Sequence, residues 1–318
     1  MFIVVDGNHT LHRILRVPYL TSGDKGVGGK FGGVAGFLKS LQWLLRNALS
    51  VYRCIVVWDT GLSKRRLSIY PDYKGKRDKK PLDEDSELYF KNFVLQRSYL
   101  EKILPLLRVN VVTLPEAEGD DLIYECVKIG LSSGFGKCVL VSEDKDFMQL
   151  IAPDVSLYRP VKRSYVNESN FFEVAGVGQE SFLLYKALCG DSSDKIQGVK
   201  GVGEKTAKIA LNGSNATSLT ELCSWSSNQK SSRINKIPES VDIIERNISL
   251  MKLGLEVFDE DTIYSIRDSL RIEPCSGFED AFGFLVDMEF SSITRQYDSW
   301  VAPFVRIGAQ NKSSIGGD

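Results

Sequence analysis

The chain has 318 residues, enough for one large domain or two ordinary ones. Its 40 basic and 41 acidic residues give a net charge of −1, which excludes a positive potential over the whole surface. Any polyanionic partner must therefore bind to a local cluster of basic residues. A composition of 43% hydrophobic and 25% charged residues excludes a disordered chain, and no apolar run reaches the ~18–20 residues that span a bilayer. Six scattered cysteines without a CxxC pair, and no basic region before the first apolar run, predict a soluble intracellular protein with reduced thiols.

Short apolar runs alternate with helix-length segments in the first half of the chain. The runs are rich in β-branched residues and cover residues 2–5, 54–58, 109–114 and 138–141. Helical spacing of apolar residues predicts helices between them, over residues 36–49, up to about 107, and over 122–129. Strands that are apolar throughout are typical of a sheet covered on both faces. We therefore predict an α/β fold with a mostly parallel sheet flanked by helices.

The strand signal fades from about Gln179, where short helices separated by Gly and Ser begin. We therefore predict an α/β core over residues 1–175, which includes a basic segment and its following helix at about 62–107. A helical domain is expected over residues 176–307, with a hairpin motif at about 181–212. The last residues, 308–318, are polar and rich in Gly and Ser, and we expect a flexible tail there.

Acidic residues follow the predicted strands where each strand ends, and a further acidic group opens the helix after the third strand. The carboxyl ends of parallel strands form one edge of a sheet, which is where ligands bind. Seven carboxylates are therefore expected in one crevice: Asp6, Asp59, Glu118, Asp120, Asp121, Asp144 and Asp146. Any one of them alone would be interpreted as a solvated turn residue, but the recurrence at one edge favours a shared site.

Carboxylates that converge repel one another unless cations neutralise them. Hard oxygen ligands without a His or Cys set favour Mg²⁺ or Mn²⁺ over Zn²⁺. Acids around divalent cations are typical of phosphodiester hydrolysis, because one ion can lower the pKa of a bound water and two can hold the attacking and leaving oxygens. The two histidines, His9 and His12, have no partner pattern, and we interpret them as ordinary residues of a helix start.

A basic segment follows the second strand. Residues 62–80 carry eight Lys and Arg against Asp72 and Asp78, with Tyr70 and Tyr73 interleaved. Positive charge with aromatic rings suits single-stranded nucleic acid, which offers phosphates and stacking bases. A solvated charged loop is the alternative, and the position next to Asp59 favours the nucleic-acid interpretation.

The second half contains a glycine-rich hairpin motif over residues 198–207, written G-V-K-G-V-G-E-K-T-A. Its glycines let a phosphate approach backbone N–H groups at the start of the next helix. Its lysines add positive charge that binds phosphates without recognising the base sequence. The residues expected to bind DNA here are Gly198, Lys200, Gly201, Gly203, Lys205 and Thr206. Asp191 and Asp194 precede the motif and could complete the metal cluster.

These motifs, in this order over about residues 1–260, resemble the 5′ nuclease superfamily of flap endonucleases and 5′–3′ exonucleases. The likeness is to the stand-alone bacteriophage enzymes and to the nuclease domain attached to bacterial DNA polymerase I. The resemblance implies a PIN-like nuclease core, a helical arch over the basic segment, and a helix–hairpin–helix motif. It also implies nine metal ligands: Asp6 in "DG", Asp59 in "WDTG", Glu118, Asp120 and Asp121 in "EGDD", Asp144 and Asp146 in "SEDKD", and Asp191 and Asp194 in "GDSSD".

The arch motif of the family matches residues 71–77, P-D-Y-K-G-K-R. By that resemblance Lys74 and Arg77 would contact the scissile phosphate, and Tyr73 would stack on a terminal base. Arg13 and Arg66 match basic family positions near the phosphate. The chain departs from the family pattern at Glu143, where Gly is usual, at Trp58, where Phe is usual, and at residues 195–197, where the family has N-I-P.

The function implied is a Mg²⁺-dependent, structure-selective 5′ nuclease that acts on DNA flaps, nicks, free 5′ ends and RNA primers. Two or more Mg²⁺ are expected, with Mn²⁺ as a substitute; K⁺ at the hairpin, RNA–DNA hybrids as substrates and RNase H activity are left open. We expect a cytoplasmic monomer, in the host cytoplasm for a phage-encoded enzyme. Replication proteins, such as a single-strand binding protein or a clamp, would bind the C-terminal part.

Two other functions are weighed. The chain could be a DNA-structure-binding protein whose metal site is not catalytic, but the intact "EGDD" and Lys74 argue against this. A small-molecule phosphatase is more remote, because it leaves the hairpin and the basic segment without a use.

Overall fold

Four neighbouring parallel strands carry the first group of predicted site residues at or near their ends. The computed structural model describes residues 1–318 except 17–24, 49, 76–83, 116, 257, 272–276 and 309–318. The strands are β1 (Phe2–Asp6), β2 (Arg53–Trp58), β3 (Asn110–Thr113) and β4 (Cys138–Val141), in the order β3-β2-β1-β4. Parallel pairing sets Val5 beside both Val56 and Val141. The predicted parallel α/β sheet is therefore confirmed.

The described residues contain 14 α-helices, which we number in chain order. Their bounds are α1 Gly7–Arg16, α2 Gly32–Asn47, α3 Lys64–Ile69, α4 Glu84–Leu106, α5 Gly119–Ser132, α6 Phe171–Ala175, α7 Phe182–Cys189, α8 Glu204–Ser214, α9 Leu219–Ser226, α10 Val241–Met251, α11 Glu260–Ser269, α12 Gly277–Asp287, α13 Ser291–Thr294 and α14 Tyr297–Val305. In the part of the chain that the structure describes, no helix carries an apolar stretch long enough to cross a lipid bilayer.

The chain divides into two compact units, each built from separate stretches. Unit 1 comprises Met1–Thr60, Pro81–Glu143 and Phe258–Asp318, and unit 2 comprises Gly61–Lys80 and Asp144–Val257. These units differ from the consecutive domains expected at 1–175 and 176–307. The reason is that α12 packs on α4 and α14 packs on α2, so the C-terminal helices return to unit 1. Of the predicted tail, residues 309–318 lie outside the described residues.

Unit 1 buries β1 and β2 almost completely, with helices packed around the sheet. The apolar side chains of β1, from Phe2 to Val5, are at most 2% exposed. Helices α1 and α5 pack against β1 and β2, and α2 packs against both α1 and α4. This burial explains why the strands read as continuous apolar runs rather than as alternating ones.

Unit 2 contains the predicted helix–hairpin–helix. Helix α7 leads into two short antiparallel strands, β7 (Gly190–Asp191) and β8 (Ile196–Gln197), and α8 follows after the loop. Gly190 has a φ of +74°, and a Cβ there would clash with the backbone nitrogen of Gly198, so both conformation and close approach require glycine. An antiparallel pair that the sequence did not predict, β5 (Val155–Arg159) and β6 (Ser164–Val166), belongs to the same unit.

Candidate metal centre and nucleic-acid interface

Asp6 ends β1 with both carboxylate oxygens engaged. The backbone N–H of His9 donates to Oδ1 over 2.9 Å, and the Ser142 hydroxyl donates to Oδ2 over 3.0 Å. Ser142 directly follows β4, whose last residue pairs with Val5, so the parallel register itself brings Ser142 to Asp6. These two hydrogen bonds orient the carboxylate at the carboxyl edge of the sheet.

Asp59 lies just past the end of β2 and is fixed through its backbone. Its N–H donates to Asn8 Oδ1 over 3.2 Å, and its carbonyl accepts from Arg97 Nη1 over 2.8 Å. Gly119, at the start of α5, lies against it: a Cβ on that glycine would be 3.1 Å from the Asp59 Cβ. The "EGDD" motif therefore lies next to Asp59, because a glycine occupies its second position.

The acids of "EGDD" open helix α5. Glu118 is the N-cap residue, and Asp120 and Asp121 lie in the first turn. Glu118 and Asp121 are each only 1% exposed. The positive end of the helix macrodipole stabilises negative charge here. Five predicted ligands thus occur in unit 1, at the carboxyl ends of β1 and β2 and at the N-terminus of α5.

Unit 2 brings two of its four predicted ligands into contact with one lysine. Lys186 Nζ lies 2.7 Å from Asp146 Oδ1 and 3.1 Å from Asp191 Oδ2. Asp144 Oδ1 accepts the backbone N–H of Asp146 over 2.8 Å. Lys186 was not among the predicted site residues. The available signal is a single lysine in an otherwise mostly apolar helix, F-L-L-Y-K-A-L-C, five residues before Asp191.

The pKa values of Asp146, Lys186 and Asp191 are shifted by burial and by the charges of their neighbours. Burial raises the pKa of Asp146 to about 6, and Lys186 opposes this shift. Burial would also lower the pKa of Lys186, but Asp146 and Asp191 outweigh it and raise that pKa. Burial raises the pKa of Asp191. Hydrogen bonds from Ser193 and the charge of Lys186 together lower this pKa by more, so that it lies below its usual value. The charge of Lys186 thus favours the ionised form of both aspartates.

Asp194 connects this cluster to the basic segment. Its carbonyl accepts the backbone N–H of Lys74 over 3.0 Å, although 120 positions separate the two residues. Lys74 has a φ of +45°, a left-handed conformation that is unusual for a non-glycine residue, and its ammonium lies 5.4 Å from the centre of the Tyr73 ring. Within unit 2 the structure thus places predicted Lys74 beside predicted Asp194. Arg77 lies outside the described residues.

The donor set fits a hard divalent cation. Its members are carboxylates, of which Glu118 and Asp121 are buried, and in unit 2 an ammonium group already lies between two others. Among the described residues, however, no three His, Cys, Asp or Glu side chains form a preformed metal site. Mutual repulsion of carboxylates favours such separation when no cation draws them together. That all nine acids share one crevice stays a prediction.

Two arginines of the basic segment are used for packing within unit 2. Arg66 Nε donates to the Leu250 carbonyl and Arg65 Nη1 to the Ser249 carbonyl, each over 2.8 Å. These carbonyls belong to the last turn of α10, where helix carbonyls lack intrahelical partners. Arg66 is 2% exposed, so in this structure it is not available to a phosphate as the resemblance implied. Arg13 lies half-buried in the last turn of α1.

Tyr73 also differs from its predicted role. The ring is 3% exposed and belongs to a core cluster with Ile196, Leu250 and Met251. Stacking on a terminal base would require the ring to leave this cluster. In the sequence, Tyr alternates with Lys and Arg. This pattern does not distinguish a ring that stacks on a base from a ring that packs in the core.

We expect Tyr73→Ala to destabilise the protein by about 3–5 kcal/mol, the usual cost of truncating a buried aromatic ring. Tyr73→Phe keeps the ring and should cost about 1 kcal/mol. Urea unfolding followed by circular dichroism measures both. The control is Tyr264→Ala, which removes a ring that is 62% exposed and should change stability by less than about 0.5 kcal/mol. Equal stability of the two alanine variants would show that the Tyr73 ring is not part of the core.

The hairpin residues are presented to solvent. Lys200, Gly201, Gly203 and Lys205 are exposed, and Gly203 is the N-cap of α8. A Cβ on Gly201 or Gly203 would meet no atom within 4 Å, so the backbone there is open to an approaching ligand. Thr206 is half-buried in the first turn of α8, while Gly198 packs against the backbone of Cys189 and is structural.

The two histidines pack as ordinary helix residues. His12 stacks on Phe93 with ring centres 4.1 Å apart, and its Nδ1 lies 2.6 Å from the Tyr89 hydroxyl. His9 contributes its backbone N–H to Asp6. Besides Lys186, sequence reasoning missed Asn8, Arg97 and Ser142, which position the predicted acids. These hydrogen bonds depend on strand register and could not be inferred from local motifs.

The family model for the 5′–3′ exonuclease N-terminal resolvase-like domain matches residues 1–177. This chain belongs to the 5′–3′ exonuclease family. Flap endonuclease Xni of Shewanella amazonensis is 30% identical over 70% of this chain and 81% of its own length. The 5′-3′ exonuclease of Aquifex aeolicus is 29% identical over 64% of this chain and 66% of its own length. DNA polymerase I of Rhizobium leguminosarum is 30% identical over 92% of this chain, which spans only 28% of that protein.

Solved structures of bacteriophage T5 proteins share the fold. The T5 5′-exonuclease with bound zinc has a TM-score of 0.66 and 22% identity, and covers 96% of this chain and 98% of its own. The T5 D15 flap endonuclease in a complex with DNA and metal ions has a TM-score of 0.64 and 20% identity, and covers 95% of this chain and 99% of its own. The predicted family and α/β nuclease fold are therefore confirmed.

Proposed function

We propose that this protein is a divalent-metal-dependent 5′ nuclease that hydrolyses phosphodiester bonds at 5′ ends and flaps of DNA. The observation that carries the proposal is the "EGDD" start of α5, where Glu118 and Asp121 are 1% exposed and Gly119 lies against Asp59. Carboxylates buried in this way are suited to a hard cation. Family membership and the fold shared with the T5 nucleases support the same activity.

The ligands in our proposal are the nine acids already named, five in unit 1 and four in unit 2. When bound, Mg²⁺ supplies a water of lowered pKa and neutralises charge on the phosphate. Neighbouring residues orient these ligands through hydrogen bonds. His9 and Ser142 bind the Asp6 carboxylate, and Asn8 and Arg97 bind the Asp59 backbone. Lys74, fixed to the Asp194 carbonyl, supplies positive charge for the phosphoryl oxygens.

The part of our proposal that concerns duplex DNA depends on the hairpin. Exposed Lys200 and Lys205 flank an open glycine backbone, which suits the phosphates of a duplex without reading its bases. We therefore propose binding to the duplex part of nicked or flapped DNA. RNA–DNA hybrids fit the same interactions, because these engage only phosphates. Mn²⁺ should replace Mg²⁺, while K⁺ at the hairpin is a further element of the proposal.

Cleavage of a 5′-labelled flap substrate in Mg²⁺, Ca²⁺ or EDTA tests the proposal. We expect short labelled products in Mg²⁺ and none in EDTA, and their lengths separate flap cutting from stepwise removal of nucleotides. Retention of the substrate in a gel shift without any product in Mg²⁺ would contradict the nuclease. It would favour instead a DNA-structure-binding protein with a non-catalytic metal site.

The hairpin makes a prediction of its own about salt dependence. Lys200→Ala combined with Lys205→Ala should weaken duplex binding and reduce the slope of log K against log[salt] by about 0.9 for each phosphate that these lysines neutralise in the wild type. Fluorescence anisotropy over a range of KCl concentrations measures the slope. Lys230→Ala, which removes an exposed lysine elsewhere in unit 2, is the control and should leave the slope unchanged. An unchanged slope in the double variant would remove the hairpin from the DNA interface.

A further inference from the structure

Arg97 of helix α4 reaches the carboxyl end of the sheet with its whole guanidinium group. Its Nη1 donates to the Asp59 carbonyl over 2.8 Å, and its Nη2 lies 3.3 Å from the Thr113 hydroxyl. Its Nε donates to Glu101 Oε1 over 2.8 Å. The guanidinium also lies 5.3 Å from the centre of the Trp58 ring. One side chain, 17% exposed, thus connects α4 to the ends of both β2 and β3.

Two side chains, Asn8 and Arg97, hold the Asp59 backbone. The residue lies past the last residue of β2, where the parallel ladder ends, so no strand pairing fixes its carbonyl. Asn8 holds the N–H over 3.2 Å and approaches the carbonyl only at 3.5 Å. Thr60 is tied separately through its hydroxyl to the Leu114 carbonyl. At 2.8 Å, the hydrogen bond from Arg97 to the Asp59 carbonyl is shorter than the one from Asn8.

We infer that Arg97 is a positioning residue for Asp59: it fixes the direction in which the Asp59 carboxylate leaves the strand and thereby sets the affinity for a divalent cation. The inference rests on the proposed function, in which Asp59 is a metal ligand. Arginine suits the role because its planar fork makes several hydrogen bonds at once while its face covers an aromatic ring. A lysine offers a point charge and cannot reproduce both.

Direct measurement of Mn²⁺ binding to the full chain, by titration calorimetry, tests the inference. Groups that orient a ligand from outside typically change metal affinity about 10–100-fold. We expect Arg97→Ala to weaken Mn²⁺ binding within this range and Arg97→Lys to fall between it and the wild type. Cleavage by Arg97→Ala should recover at high metal concentration, which loss of general structure would not allow. Lys91→Ala, which removes an exposed Lys91–Glu87 pair from the same helix, should leave Mn²⁺ affinity unchanged.

A double variant, Arg97→Ala with Asp59→Asn, distinguishes failure of the Arg97 inference from failure of the proposed role of Asp59. If Arg97 acts through the Asp59 carboxylate, Arg97→Ala adds no further loss of affinity when Asn occupies position 59. Full additivity of the two changes, or wild-type Mn²⁺ affinity in a folded Arg97→Ala, would overturn the inference while leaving the nuclease intact. Wild-type Mn²⁺ affinity and cleavage in Asp59→Asn would contradict the proposed role of Asp59 itself.

Discussion

Asp120→Asn is expected to lower the rate of flap cleavage by about 100-fold or more. The change removes one negative charge from the first turn of α5 without altering the size of the side chain. Loss of a direct metal ligand should cost more than the roughly 10–100-fold effect of an outer-sphere partner. Single-turnover cleavage in Mg²⁺ gives the rate, and gel shift in Ca²⁺ gives duplex binding, which should stay close to that of the wild type.

Asp268→Asn is the matched control for this change. Asp268 is an exposed carboxylate in α11, also in unit 1, paired with Arg271 over 3.2 Å. Its replacement removes the same charge from the same unit without touching a predicted ligand, so cleavage should be unchanged. Wild-type rates in Asp120→Asn, with the protein folded, would exclude Asp120 from the metal site.

The second large effect concerns Lys186. We expect Lys186→Met to destabilise the metal-free protein by about 3 kcal/mol, because breaking a buried ion pair costs about 3–5 kcal/mol and the Lys186 and Asp146 side chains retain 15% and 18% exposure. Without the ammonium, Asp146 and Asp191 face each other with no charge between them. Mn²⁺ should restore stability, so that the metal-induced rise in Tm is larger for the variant than for the wild type.

Thermal unfolding in EDTA and in Mn²⁺ measures both parts of this prediction. Lys252→Met removes an exposed lysine of the same unit and should match the wild type under both conditions. If Lys186→Met lost stability but gained nothing from Mn²⁺, the pair of aspartates would be structural rather than metal-binding. If it lost no stability, the ion pair would contribute nothing to the fold.

Much of the fold was predictable because its signals are local. The apolar runs of β1, β2 and β4 and the acids that end them are adjacent in sequence, and parallel pairing then places Asp6 beside Val57 without further information. The hairpin was recognisable from the glycine-rich motif of residues 198–207. In the structure Gly190 has a positive φ and lies in close contact with Gly198, which the motif itself does not show.

What could not be predicted depends on interactions between distant segments. Nothing near Arg65 or Arg66 indicates that they hold the carbonyls of Ser249 and Leu250, so their charge alone suggested a role at DNA. The packing of the C-terminal helices in unit 1 could not be predicted either, because the apolar face of a helix does not identify the element that it packs against. For Lys186 the signal was present, as a charge in an apolar helix, but only the structure shows the acids that it joins.

The most direct test of the metal centre is a crystal structure grown with Mn²⁺ and read from its anomalous signal. We predict ions bound directly to carboxylate oxygens of the predicted set, with Asp120 or Asp121 among them. We also expect Asp146 and Asp191 to share a cation, whether Lys186 or the metal. Anomalous peaks confined to other residues, with the nine acids turned to solvent at saturating Mn²⁺, would contradict the proposed metal centre.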